Sequence, residues 1–190
     1  MRRKITTAAL VAVGLAGLFL LSEGTYMKAK AELAHVLLQR AWHKTQAGDM
    51  DAKPWPWADM APAYALDVPA RGASTIVLGD ASGEALAFAP GWMPTTAKPG
   101  SPGLAVIAAH RDTHFSFLKE VTSGDEIRLT HPSGLEDRFV VEERRIVSAQ
   151  ASGLERHMQG SWLALSTCWP LDAKTPGDER LVVLARKLAA

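Results

Sequence analysis

Short apolar runs separated by turn formers dominate this chain, and most are too short to be helices. From Pro62 onward they are Ala65–Val68, Thr75–Leu78, Ala85–Phe88, Leu104–Ala109, Glu126–Leu129, Arg138–Val141, Leu163–Trp169 and Arg180–Arg186. Glycine or proline punctuates most of the gaps, so the pattern predicts eight strands. No long helical period falls between them, which makes one antiparallel or mixed all-β barrel more economical than an alternating α/β sheet. The single helix-like interruption is Thr113–Val121, where Phe115, Leu118 and Val121 recur at helical spacing after Asp112, a candidate N-cap.

The first sixty residues read differently. Arg2, Arg3 and Lys4 precede an uncharged run from Ile5 to Leu21, the charged-then-apolar order of a signal sequence or signal anchor. Leu21-Ser22-Glu23-Gly24-Thr25 is a poor small-x-small cleavage site, so residues 1–22 are expected to stay as a single transmembrane helix, with the N-terminus in the cytoplasm and the rest outside. Residues 23–62 form a stalk and connector. Leu33, Val36, Leu37, Leu38 and Ala41 give one apolar helical face between Tyr26 and Ala47, which Gly48 and Asp49 end. Pro54, Pro56 and Pro62, with Trp55 and Trp57 among them, then forbid helix and central strand, and the tryptophans suggest a belt laid over the domain. Residues 63–190 are the remaining domain.

Composition narrows the function without naming it. At 190 residues the chain holds one domain plus an appendage. A net charge of +1 with 22% charged residues gives no acidic or basic excess, so no nucleic-acid partner is expected. One cysteine excludes an internal disulfide and a Cys-rich zinc site. No metal-ligand cluster is visible, and no metal or cofactor is expected; His131 and His157 lie in turn-rich stretches and carry no signal. Outside the cytoplasm an unpaired thiol invites a reactive role.

That thiol, Cys168, closes the run Leu163–Trp169, which Pro170 stops; His110 follows the run Leu104–Ala109, and Arg180 begins the last run. All three stand at strand ends, where an apolar run gives way to a polar loop, and strand ends can share a rim. As chemistry the types are coherent. A free thiol is only a few per cent thiolate at neutral pH, and a neighbouring cation enriches the nucleophile. Acyl transfer from an amide also needs a donor to the carbonyl oxygen and a proton for the departing amine, tasks that suit an arginine and a histidine. The set points to covalent cysteine acyl transfer. Arg186 competes with Arg180 but lies six residues farther along the strand, roughly 20 Å at the rise of a strand.

These residues carry a resemblance. Leu165-Ser166-Thr167-Cys168 resembles the Leu-x-Thr-Cys signature of sortases, His110 in Ala109-His110-Arg111-Asp112 resembles their Gly-His-x-Asp element with alanine in place of glycine, and Arg180 before Leu181-Val182-Val183 is similar to the arginine that opens their last strand. The match runs from about Ala63 to Lys187. Phe88-Ala89-Pro90-Gly91, His110–Phe115 and Cys168-Trp169-Pro170 look most like the sortases of Gram-negative marine proteobacteria, which would place the domain in the periplasm, held to the inner membrane. The resemblance implies an eight-stranded β-barrel with a Cys-His-Arg site. It further implies cleavage of a C-terminal LPXTG-like sorting signal between threonine and glycine, a thioester on cysteine, and transfer to an amine acceptor. Carried over, Cys168 is the nucleophile, His110 the acid and base, and Arg180 the oxyanion donor. Thr167 is then a groove residue beside the thioester, Trp169 a groove wall or a strand-end packing residue, and Asp112 a turn cap or a group orienting His110 or Arg111. The loop from Val147 to Ser161 is expected to recognise the signal. Two other functions fit the residues: an L,D-transpeptidase-like cell-wall enzyme, although there an arginine closely follows the cysteine, and a non-catalytic membrane-anchored interaction module with a buried, inert thiol.

Overall fold

The computed structural model describes residues 17, 25–26, 29–154, 158–173, 175 and 177–189. The predicted anchor, residues 1–22, lies outside the described residues except at position 17, and among the described residues no helix is long and apolar enough to cross a membrane. Two compact units divide between Leu37 and Leu38. A helix, α1, occupies residues 29–46, where the sequence pattern predicts one.

Within the second unit eight strands close into a barrel: β1 (Pro62–Val68), β2 (Ala73–Leu78), β3 (Gly91–Trp92), β4 (Gly103–Ala108), β5 (Glu126–Thr130), β6 (Glu136–Ser148), β7 (Ser161–Trp169) and β8 (Glu179–Lys187). Their order around the barrel is β1-β2-β3-β4-β7-β8-β6-β5. Most neighbours are antiparallel; β2 with β3 and β4 with β7 run parallel. Closure leaves the barrel without a free sheet edge over most of its height, which is how all-β folds avoid edge-to-edge aggregation.

Burial follows the sequence pattern. β1 and β5 alternate strictly between buried and half-buried positions, as strands with one solvated face should. β4 and the middles of β7 and β8 are buried at consecutive positions, matching apolar runs such as Leu104–Ala109 that show no alternation. Their inward residues, including Ile107, Leu163, Leu165, Leu181 and Val183, join Phe115, Leu118 and Phe139 in the main core. Their outward residues, Leu104, Val106, Ala164, Val182 and Leu184, form a separate buried cluster that Val147, Leu154, Met158 and Trp162 pack against. This part of the sheet is therefore apolar on both faces.

Two elements differ from the expectation. Ala85–Phe88 is not a strand: a short helix, α2 (Gly83–Leu86), covers its start, with the Ser82 hydroxyl accepting a hydrogen bond from the Ala85 amide at 3.3 Å. The serine cap and the glutamate in the first turn favour helix over the weak strand pattern. The eighth strand is instead β3, two residues long, too short to leave a periodicity. Asp112 does not cap a helix either; the turn of 3-10 helix begins later, at Ser116–Lys119, with Phe115 at its cap position and no side-chain cap bond.

The connector does pack on its own unit. Ala58 and Met60 are buried with Leu38, Leu78 and Ala89, and Trp55 meets Phe88 edge-on at 5.0 Å between ring centroids. Trp57, by contrast, is 79% exposed, so only one tryptophan serves as the belt.

At the end of the barrel where β8 finishes, Asp137 on β6 accepts from Lys187 at 2.6 Å and pairs with His131 at 2.7 Å, while Lys187 also donates to the Gly100 carbonyl at 3.1 Å. Gly100 has φ +84° and lies so close to the Asp137 carboxylate that a side chain would collide with it. The β3–β4 loop is thereby pinned to the ends of β6 and β8. Burial alone would raise the Asp137 pKa, but hydrogen bonds from Lys187 and His131 outweigh it and hold the carboxyl below its ordinary value. A depressed folded-state pKa contributes stability above the unfolded value, about 3.9, and that stability is lost as pH falls through the folded value. In urea unfolding, Asp137→Asn is expected to be less stable than the parent at neutral pH and to show a flatter loss of stability below about pH 4; equal acid sensitivity in the two proteins would show that Asp137 contributes nothing.

Candidate active site

The site is assembled by register. β4 and β7 run parallel with Ala108 opposite Ser166, and the pairing continues one step further, the Ala109 amide donating to the Ser166 carbonyl at 3.2 Å. His110, the next residue, therefore stands beside the end of β7. Across the other edge of β7, Cys168 is the antiparallel partner of Arg180 on β8. Three adjacent chain segments thus bring His110, Cys168 and Arg180 to one rim.

Strand alternation decides which face they share. On β7, Leu163 and Leu165 are inward and Ala164 outward; on β8, Leu181 and Val183 are inward and Val182 outward; on β4, Ile107 and Ala109 are inward and Val106 outward. Successive side chains point to opposite faces, so Cys168 and Arg180 belong to the outward set, in line with Ser166 and Val182. His110 follows inward Ala109 and continues that alternation. The thiol is partly accessible, the imidazole exposed and the guanidinium half-buried. A cysteine sealed in the core would have been inert; this one is open to solvent and to a substrate.

The other sequence candidates fall elsewhere. Thr167 is 2% exposed and turns inward, its hydroxyl donating to the Ala109 carbonyl at 2.8 Å. Of the two groups expected beside the thioester, hydroxyl or amide, the hydroxyl is turned away into the core, where it ties β7 to the end of β4 and so fixes the spacing of Cys168 and His110. Trp169 is half-buried and packs against the main core, a strand-end packing residue and not a groove wall. Asp112 is exposed in the turn after His110. Arg186 lies at the far end of β8 and bonds Glu142 at 2.6 Å, away from the rim.

The β7–β8 loop is held by two arginines. Arg111 donates to the Pro170 carbonyl at 3.0 Å and the Thr175 carbonyl at 2.8 Å, fastening this loop to the segment that carries His110. Arg180 donates through Nη1 to the Gly177 and Glu179 carbonyls at 2.9 and 2.8 Å, which orients it and leaves its other N–H donors for a ligand. Gly177 passes so near the Trp169 carbonyl that a Cβ there would lie 2.9 Å from the oxygen. The peptide bond between Trp169 and Pro170 is cis.

A groove of about 460 Å³ leads away from this rim along the outward face. Its floor is Leu104, Val106, Ala108, Ser166 and Val182. One wall is the β3–β4 loop with Met93, Thr95 and Thr96; the other is the β6–β7 loop with Ala149, Ser152 and Leu154. That second wall falls in the stretch from Val147 to Ser161 singled out for recognition, of which residues 155–157 lie outside the described set. The β3–β4 wall had no signal in the sequence beyond its bracketing prolines and glycines. Among the described residues no group of three or more His, Cys, Asp or Glu side chains is placed to hold a metal.

With this geometry the comparisons become interpretable. The family model described as "Sortase domain" matches residues 66–188, well over half of the chain. The chain belongs to the sortase family. Solved structures agree at the level of fold. A Clostridium perfringens sortase D5 transpeptidase superimposes with a TM-score of 0.67 at 18% identity, covering 83% of this chain and 99% of that one. Listeria monocytogenes sortase A gives 0.60 at 19% identity, covering 67% and 88%, and a lid mutant of Corynebacterium diphtheriae sortase A gives 0.63 at 19%, covering 84% and 95%. The search of curated proteins finds no match. As members of this family are cysteine transpeptidases, the L,D-transpeptidase alternative is set aside.

In this sortase the Arg111 clamp should matter to activity without touching the fold. Arg111→Ala is expected to raise amide exchange and protease nicking around Pro170 and Thr175 and to lower the transpeptidation rate about tenfold, the loss of bonds from a charged donor. Unchanged exchange in that loop would show the clamp to be dispensable.

Proposed function

We propose that this sortase cleaves an LPXTG-like C-terminal sorting signal and transfers the acyl part to an amine acceptor, with Cys168, His110 and Arg180 as its catalytic residues. The single observation that carries the reading is the register that sets Cys168 opposite Arg180 on one strand pair and His110 at the end of the adjoining strand, all on the outward face. The Cys168 sulfur attacks the threonine carbonyl carbon as its proton passes to His110. Negative charge gathers on the carbonyl oxygen, where an Arg180 N–H donates; the C–N bond breaks, the glycine amine leaves with a proton from His110, and a thioester remains. An acceptor amine then attacks the thioester carbon and gives a proton to His110; the C–S bond breaks, the amide forms, and that proton passes to the sulfur to regenerate the thiol. Such preorganised donors act where charge develops, which is why loss of one costs rate more than binding.

Incubation of the enzyme with an LPXTG-type peptide and hydroxylamine should yield a hydroxamate product and, by mass spectrometry, an acyl adduct on Cys168. Cys168→Ala should show neither while remaining folded, and Arg180→Ala should lose about 10²–10³-fold in kcat, the scale of a missing oxyanion donor. A native thiol that resists methanethiosulfonate reagents until the protein is denatured would favour the non-catalytic interaction module instead.

The proposal extends to location. The charged residues Arg2 to Lys4 and the uncharged run to Leu21 support a retained single-pass anchor in the inner membrane with the catalytic domain in the periplasm. The full chain should resist carbonate extraction from membranes, and the domain should be digested by protease added to spheroplasts; a soluble, shortened product would mean that the segment is cleaved.

A further inference from the structure

A second recess, of about 560 Å³, lies beyond the groove and is lined by Pro102, Gly103, Met158, Gln159 and Gly160 together with Thr95 and Thr96. The two threonines also line the first groove, so one continues into the other. The recess sits at the opposite ends of β4 and β7 from the reactive rim, because Gly103 is paired with Ser161 while Cys168 lies seven residues along β7. At about 3.3 Å per residue that separation is roughly 23 Å. The acyl part of a four-residue signal, ending at threonine on Cys168, reaches only about 13 Å when extended. The recess is therefore out of reach of the signal and within reach of residues that precede it.

The direction of the chain follows from the chemistry. The acyl part must stay bound while the leaving amine departs and the acceptor enters. His110 and Pro170, on the loop side of Cys168, are exposed and offer the open route for amines, whereas the groove leads the other way. We propose that the recess is an upstream subsite that takes substrate residues about six or seven positions before the cleaved bond. This rests on the sortase reading and adds to it a determinant of specificity. Among the described residues no ionisable side chain lines the recess, and Met158 packs on the outward apolar cluster, so it suits an uncharged, modestly apolar segment. Its Thr95–Ala97 wall belongs to the loop that Lys187 and Asp137 pin at Gly100, which gives the subsite a fixed shape.

The test compares three peptides on the full-length, detergent-solubilised enzyme: an LPXTG-type signal with no preceding residues, the same with eight uncharged preceding residues, and the short form extended downstream. The upstream extension should raise kcat/KM about tenfold, mainly through KM, the low end of what filling one small pocket gives; the downstream extension should not. Gln159→Glu, an exposed and conservative change, should leave the short peptide unchanged while shifting the upstream preference from an uncharged extension toward one carrying lysine. If the short peptide acylates Cys168 and the upstream extension adds nothing, or both extensions help equally, the subsite is wrong and the sortase reading stands. If no peptide acylates Cys168, the sortase reading fails and takes the subsite with it.

Discussion

Parallel pairing of β4 with β7 is the constraint on which this molecule turns. Antiparallel neighbours place the end of one strand beside the start of the next; parallel neighbours place both ends at the same rim. Six consecutive pairs from Gly103↔Ser161 to Ala108↔Ser166 lock that register, so the residues that follow, His110 and Cys168, arrive together although nearly sixty positions separate them. β8, antiparallel to β7, then begins where β7 ends, and its first residues include Arg180. A slip of one residue in either pairing would turn Cys168 toward the core, because side chains alternate with a period of two.

The same three strands explain why the site has a substrate lane. Ordinary barrel strands bury one face, but β4, β7 and β8 carry apolar residues on both, and the outward set would be a liability if left bare. The β6–β7 loop covers part of it through Leu154 and Met158. What stays uncovered is the groove, an apolar floor between two loop walls, suited to a peptide held by its side chains and backbone. Floor and reactive rim are continuous because both are the outward face of the same strands.

Loops complete the arrangement, and each is tied down by a specific contact. Arg111 and Arg180 hold the β7–β8 loop through backbone carbonyls, with Gly177 allowing a close approach to Trp169. At the other end Asp137, Lys187 and His131 hold the β3–β4 loop. His131, which offered no hint in the sequence, owes its role to a hairpin that carries it back to Asp137. Thr167 also changed meaning: its place before Cys168 suggested contact with substrate, yet alternation turns it inward, where its hydroxyl is bound by Ala109.

Seven of the eight strands were legible as apolar runs between glycines and prolines, the places of Cys168, His110 and Arg180 at strand ends were legible as run ends, and the family was legible from their resemblance to the sortases. Those features are local, and a chain carries its local features with it. β3 was invisible because two residues have no period, and Ala85–Phe88 misled because a serine cap outweighed its apolar content. The extension of β6 through Glu142-Glu143-Arg144-Arg145 was also hidden, since that charged stretch is a strand only through its pairing with β8. Which strands lie side by side, which face Cys168 shares with Arg180, and which loops wall the groove were decided by tertiary structure alone. Each depends on pairing between segments far apart in sequence, and the free energy of that pairing comes from burying both partners together, a quantity neither segment possesses by itself.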